Sequence, residues 1–161
     1  MPVIDNVAIP QLSIFRRPVT VAGTITVYNY CSYDIWTQPN IDGNVAEIVH
    51  IPAGKERPFP MAGDGSAVNL KVSKVEKNFV KPVQIEYSVK DGVTWYDLSL
   101  IDCLGSSTEM KNGKYLRNGD TSACAGHEAG LQLGNDKAMS FQCGSGAWCD
   151  DQAYMYEVGH L

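Results

Sequence analysis

Residues 83–100 run VQIEYSVKDGVTWYDLSL. Val83, Ile85, Tyr87 and Val89 alternate with Gln84, Glu86, Ser88 and Lys90, so one face is oily and the other polar. A period of two is what a half-buried antiparallel strand needs, because successive side chains leave a pleated backbone on opposite faces. The alternation stops at Asp91-Gly92, a pair that tolerates the positive φ of a tight hairpin turn. Thr94 to Leu100 then resume a run of β-branched, aromatic and aliphatic residues suited to a pleated surface. The stretch is a β-hairpin signal, and it sets the class of the chain.

The same signals recur on both sides. Val68 to Ser73 alternates cleanly, and strands are also expected over 24–30, 34–38, 46–51, 138–142 and 153–157. Between them lie turn formers: Asp42-Gly43, residues 62–65, Lys111-Asn112-Gly113 and Arg117 to Asp120. No segment sustains a 3.6-residue stripe, and residues 124–133 (CAGHEAGLQL) are the one expected short helix. Residues 104–123 are expected as a surface loop with one short hairpin. Many short strands with frequent turns predict an all-β fold, an antiparallel β-sandwich or flattened barrel. Residues 1–20, with three prolines, are expected to lie as an arm across a single domain of 21–161.

The charged fraction is 19% and the formal net charge −5. That balance argues against nucleic acid, which needs a basic face. The locally basic stretch 74–81 (KVEKNFVK) is read as a solvated edge. Nothing is apolar for long enough to span a bilayer. The opening MPVIDNVAIPQ lacks a charged segment followed by an apolar one and does not read as a signal peptide.

Secretion is expected instead from the cysteines: Cys31, Cys103, Cys124, Cys143 and Cys149. Four of them fall among Gly, Ser, Asp and Asn near the C-terminus, where a weakly cored, loop-rich segment gains most from crosslinks. Zinc is the weaker alternative, since no C-x-x-C pair occurs. An odd count leaves one cysteine unpaired. Connectivity stays open; Cys103 is expected to pair with Cys124 or Cys31, and one of Cys143 and Cys149 with the remainder.

Several short runs resemble thaumatin-like domains, in particular the small fungal branch of that family. Thr24 to Trp36 (TITVYNYCSYDIW) is similar to the family's opening strand ending in Asn-x-Cys, and Ile51-Pro52-Ala53-Gly54 to its next turn. Val83 to Ser88 and Thr94 to Ser99 resemble that branch's paired core strands, ahead of a cysteine-bearing loop at Cys103. The resemblance implies a thaumatin-type antiparallel β-sandwich with a disulfide-tied C-terminal segment, secreted or wall-associated. The acidic-cleft signature of the large plant members is not found here, so their antifungal and glucan-cleaving activities do not carry over.

A glycosidase would need two carboxylates flanking one bond, one with a raised pKa. Glu86 and Asp97 are the candidates, on the polar faces of adjacent strands. His127 and Asp150 flank the cysteine-rich turns and are the candidate metal ligands, although no zinc-helix or calcium-loop spacing accompanies them. His50 is expected as a structural histidine. Tyr28, Tyr30, Trp36 and Trp95 are candidate ligand-binding aromatics, since flat rings beside polar groups suit a sugar's C–H bonds and hydroxyls; core filling is the alternative. No nucleophile elbow, phosphate loop or dinucleotide fingerprint occurs, and no cofactor is expected.

The expected function is binding of a β-glucan-like wall polysaccharide by a secreted monomer through a groove or aromatic face. A host-contacting effector or adhesin acting through protein contacts is the alternative. A weak endo-β-glucanase is a second one, with catalysis undecided but not favoured.

Overall fold

A computed structural model of the chain describes residues 12–14, 24–61, 63–77, 79–105, 110–135 and 138–156. Two sheets dominate. In the first, β1 (Leu12–Ile14), β2 (Thr24–Asn29), β6 (Glu56–Pro60), β12 (Leu131–Asn135) and β13 (Ala138–Cys143) take the order β13-β12-β1-β2-β6. In the second, β3 (Ile35–Ile41), β4 (Asn44–Val45), β7 (Ala67–Ser73), β8 (Val83–Lys90) and β9 (Val93–Ser99) take the order β4-β3-β7-β8-β9, and β5 (Val49–Ile51) also pairs with β3. β10 (Met110–Lys111) and β11 (Lys114–Tyr115) form a small hairpin, and α1 (Ile101–Leu104) is a single helical turn. Pairing is antiparallel except where β1 runs parallel to β12.

The alternation read at residues 83–90 holds residue by residue. Val83, Ile85, Tyr87 and Val89 are buried, while Gln84, Glu86 and Ser88 lie on the opposite face. Asp91 and Gly92 have φ of 53° and 73°, so the chain reverses through a turn whose twist matches its strands. Inward-facing Val68, Leu70 and Val72 of β7 and Ile35 of β3 join them. Ile25 and Val27 of β2, Phe59 of β6 and Leu131 and Leu133 of β12 come from the other sheet into the same core. Fully burying each such side chain contributes about 1.5–3 kcal/mol, which makes this shared core the main source of stability.

Several expectations are corrected. Residues 124–133 do not form a helix: Gly126 and Gly130 have φ of 80° and 105°, which no α-helix accommodates, and the chain passes directly into β12. β6 is not among the expected strands, and its sequence ERPFP carries two prolines. It is the edge strand of its sheet, where a missing N–H is tolerated. Of the strand expected over 46–51 only Val49–Ile51 forms. The strand expected over 153–157 is a single parallel bridge between Tyr154 and Ser99, and residue 157 lies outside the described residues. Within the expected N-terminal arm, residues 12–14 are a strand inserted between β2 and β12, and the rest of 1–20 lies outside the described residues.

Two disulfides form. Cys103–Cys124 joins α1 to the turn at Thr121–Ala123, as one of the two expected pairings for Cys103. Cys143 and Cys149 bond to each other rather than to a distant partner, closing the loop after β13. Cys31 is free and buried.

Candidate functional site

The outer face of the second sheet carries a polar row. Asn40 of β3 stands opposite Asn69 of β7, Asn69 opposite Glu86 of β8, and Glu86 opposite Asp97 of β9. Antiparallel register puts directly opposed residues on one face, so four strands contribute one side chain each to a continuous line. This line lies in a groove of about 820 Å³. Residues 150–154, brought alongside β9 by the Ser99–Tyr154 bridge, form one wall. Two aromatic side chains stand open along it: Trp95, 64% exposed and two residues from Asp97, and Tyr154, 53% exposed.

Hydrogen bonding along the row is incomplete. The Asn69 amide Nδ2 donates to Gln84 Oε1 and, at 3.0 Å, to Glu86 Oε1. Asn40 Oδ1, Asn69 Oδ1 and Asp97 Oδ1 are buried acceptors with no donor. Such groups normally find a partner, because an orphaned buried polar atom costs about 1–3 kcal/mol. Burial, then the charge of Glu86 and the hydrogen bond to it, push the Asp97 carboxyl up to about 6.

The structure thus brings Glu86 and Asp97 directly opposite each other on adjacent strands, on the face that lines the groove. Two carboxyls acting on a glycosidic bond stand about 5–5.5 Å apart when the enzyme retains configuration, and about 6.5–9.5 Å apart when it inverts. Directly opposed residues set their Cβ atoms about 4.5–5.5 Å apart, so the two side chains are immediate neighbours on the groove floor. What the pair offers is a negatively charged floor able to hold or release a proton.

The wall is fastened from behind. Arg117 donates to both carboxylate oxygens of Asp150, at 2.9 and 3.3 Å, and the Tyr156 hydroxyl donates to Asp150 Oδ2 at 2.7 Å. Trp148 Nε1 donates to the Tyr156 hydroxyl at 2.9 Å. Burial works against ionisation of Asp150, yet these donors outweigh it and hold the carboxyl below its ordinary range. Asp150 therefore anchors the segment, and its partners are not metal-ligand in kind. His127, paired with it at the sequence level, is buried, and its Nε2–H donates to the Ala147 carbonyl at 2.7 Å. Among the described residues no group of three or more His, Cys, Asp or Glu is placed to hold a metal.

The four aromatics do not form one surface. Tyr28 of β2 and Tyr30, just past that strand's end, stack on each other with centroids 5.8 Å apart. Trp36 shares the outer face of the second sheet with Trp95, but stacks on His50 at 5.2 Å. Its neighbour Ser73 and Trp95's row-mate Ala67 are six residues apart on β7, about 20 Å along the strand. His50 is held by Asp34, whose Oδ2 lies 2.8 Å from Nε2. Only Trp95 lines the groove. Asn40, Asn69 and Tyr154 were missed at the sequence level. Asn40 and Asn69 occupy the polar phase of their strands, a detectable signal, whereas Tyr154 reaches the groove through a bridge distant in sequence.

No protein-family profile matches the chain, and no curated protein does. Among solved structures it is similar to the protein elicitor MoHrip2 from Magnaporthe oryzae, at 16% identity over 82% of each chain, with a TM-score of 0.55. At that identity the likeness concerns fold alone. The resemblance to thaumatin-like proteins is corrected: nothing in these matches points to that family. The short runs that carried it answer local needs. Asn29 precedes Cys31 because its side chain accepts the Cys31 N–H and donates to the Tyr33 and Ile51 carbonyls. Gly54 follows Ile51 because the turn requires a φ of 70°.

Proposed function

We propose that this protein is a secreted, non-catalytic binder of an oligosaccharide or polysaccharide, taken in the groove on the second sheet. The observation that carries the proposal is a groove that sets a row of polar side chains from four strands beside an exposed Trp95. Sugar hydroxyls supply donors at short spacing, and a pyranose C–H face suits an indole. Few polar groups converging in a concave, partly aromatic site are the usual make-up of a ligand pocket. Two disulfides support an oxidising, extracellular compartment.

The test is co-sedimentation with insoluble β-1,3-glucan and chitin, with the supernatant assayed for reducing sugar. Binding that is lost in Trp95→Ala, without sugar release, is the expected result. No binding to either polymer, or release of sugar, overturns the proposal.

A host-contacting effector is the second proposal, supported by the description of the structural neighbour as a protein elicitor. Infiltrating purified protein into leaf tissue and recording a defence response tests it; an inert protein removes it.

A further inference from the structure

The groove is electrically one-sided. Among the described residues its lining holds Asp42, Glu86, Asp97, Asp150 and Asp151 and no Lys, Arg or His. Asp150 is compensated by Arg117, and Asp42 Oδ1 accepts the Ala67 N–H at 2.9 Å. Glu86, Asp97 and Asp151 make no ion pair among the described residues. The Asn69 amide is already engaged by Gln84 and Glu86, so it does not offset the carboxylates. A positively charged donor compensates these carboxylates and hydrogen-bonds to them at once. Trp95 adds a face that attracts cations as well as C–H groups.

We propose that the groove selects an amine-bearing sugar chain, a β-linked glucosamine oligomer, over a neutral glucan. In this arrangement one ring's ammonium sits on Glu86 and Asp97, and a neighbouring ring lies against Trp95. The inference rests on the groove being a sugar site and adds the charge of the sugar. The same lining disfavours a negatively charged polymer.

The experiment is titration calorimetry with hexamers of glucosamine, N-acetylglucosamine and β-1,3-linked glucose, at pH 6 and moderate salt. Hexalysine serves as a plain cation. The glucosamine hexamer is expected to bind at least 10-fold tighter than the two neutral hexamers and than hexalysine. That advantage is expected to fall below about threefold in Glu86→Gln/Asp97→Asn and in Asp97→Asn alone. It is expected to survive in Glu47→Gln/Glu76→Gln, which removes the same charge from exposed positions outside the groove.

Equal binding of glucosamine and glucose hexamers overturns the inference and leaves the sugar site standing. Equal loss in the control variant overturns it too, as the preference is then bulk charge. Hexalysine binding as tightly as the glucosamine hexamer overturns it in favour of a basic peptide. Failure of all three sugars to bind removes the sugar site itself.

Discussion

Glu86 and Asp97 stand directly opposite each other across β8 and β9 on the outer face of a sheet. Like charges directly opposed on neighbouring strands destabilise a sheet, so the pair is a cost borne by the fold rather than a source of stability. An acidic pair held at such a cost is a candidate functional site, which makes the groove the place to test.

Stability is expected to depend on pH through Asp97. Its carboxyl titrates near 6 in the fold, against about 3.9 in an unfolded chain. Between those values the native state binds more protons than the unfolded one, so this group lowers stability as pH rises from about 4 to about 6. Asp97→Asn removes the effect. Thermal melts should show the variant gaining on the parent at pH 7.5 and matching it at pH 3.5. A gain that is the same at both values contradicts this account.

Trp95 is expected to separate binding from folding. Its side chain is mostly exposed, so Trp95→Ala should leave the melting temperature within a degree or two. Loss of a central aromatic contact should weaken glycan binding roughly 10- to 30-fold. Trp36→Ala, on the same face but outside the groove, should leave binding unchanged. Matching losses in both variants would disperse the site.

The two disulfides should differ in weight. Loop-closure entropy assigns about 3 kcal/mol to Cys103–Cys124, with a sequence separation of 21, and about 2 kcal/mol to Cys143–Cys149, with a separation of 6. Denaturant titrations of the paired Cys→Ala variants check the order. Because the shorter loop leads directly into the wall at 150–154, its removal should also weaken glycan binding, which loss of the longer one should not.

Cys31 should behave as an inert thiol. It is 3% exposed, and burial raises its pKa, which keeps it protonated. Iodoacetamide should leave the native protein unlabelled and add one carbamidomethyl group per chain after unfolding without reductant. Rapid labelling of the folded protein would show that the thiol is reachable.

Asn29 should be costly to replace. It is fully buried and joins the Cys31 N–H to two carbonyls, one of them on β5. Asn29→Ala strands all three groups, and a loss of about 3 kcal/mol or more is expected in denaturant melts. A near-neutral result would mean that water replaces the side chain.

Much of this was legible from local patterns. The period-two runs at Val68 to Ser73 and Val83 to Lys90, and the Asp91-Gly92 turn, fix their own faces and reversals without reference to distant residues. Glu86 and Asp97 were identifiable as polar-phase residues of neighbouring strands for the same reason. β6 and β12 were not legible. Pro58 and Pro60 argue against a strand unless it is known to be an edge, and CAGHEAGLQL suits a helix until the φ of Gly126 and Gly130 is known.

The sequence by itself therefore determined the all-β class and the oily and polar faces of the central strands, which depend on spacing along a single segment, and an odd cysteine count, which is composition alone. Only the tertiary structure decided that Asn40, Asn69, Glu86 and Asp97 form one row, that residues 150–154 wall it in, and that Cys31 stays unpaired. Those facts depend on strand order and register between segments far apart in the chain. Spacing along one strand does not encode them; packing of the two sheets against a common core does.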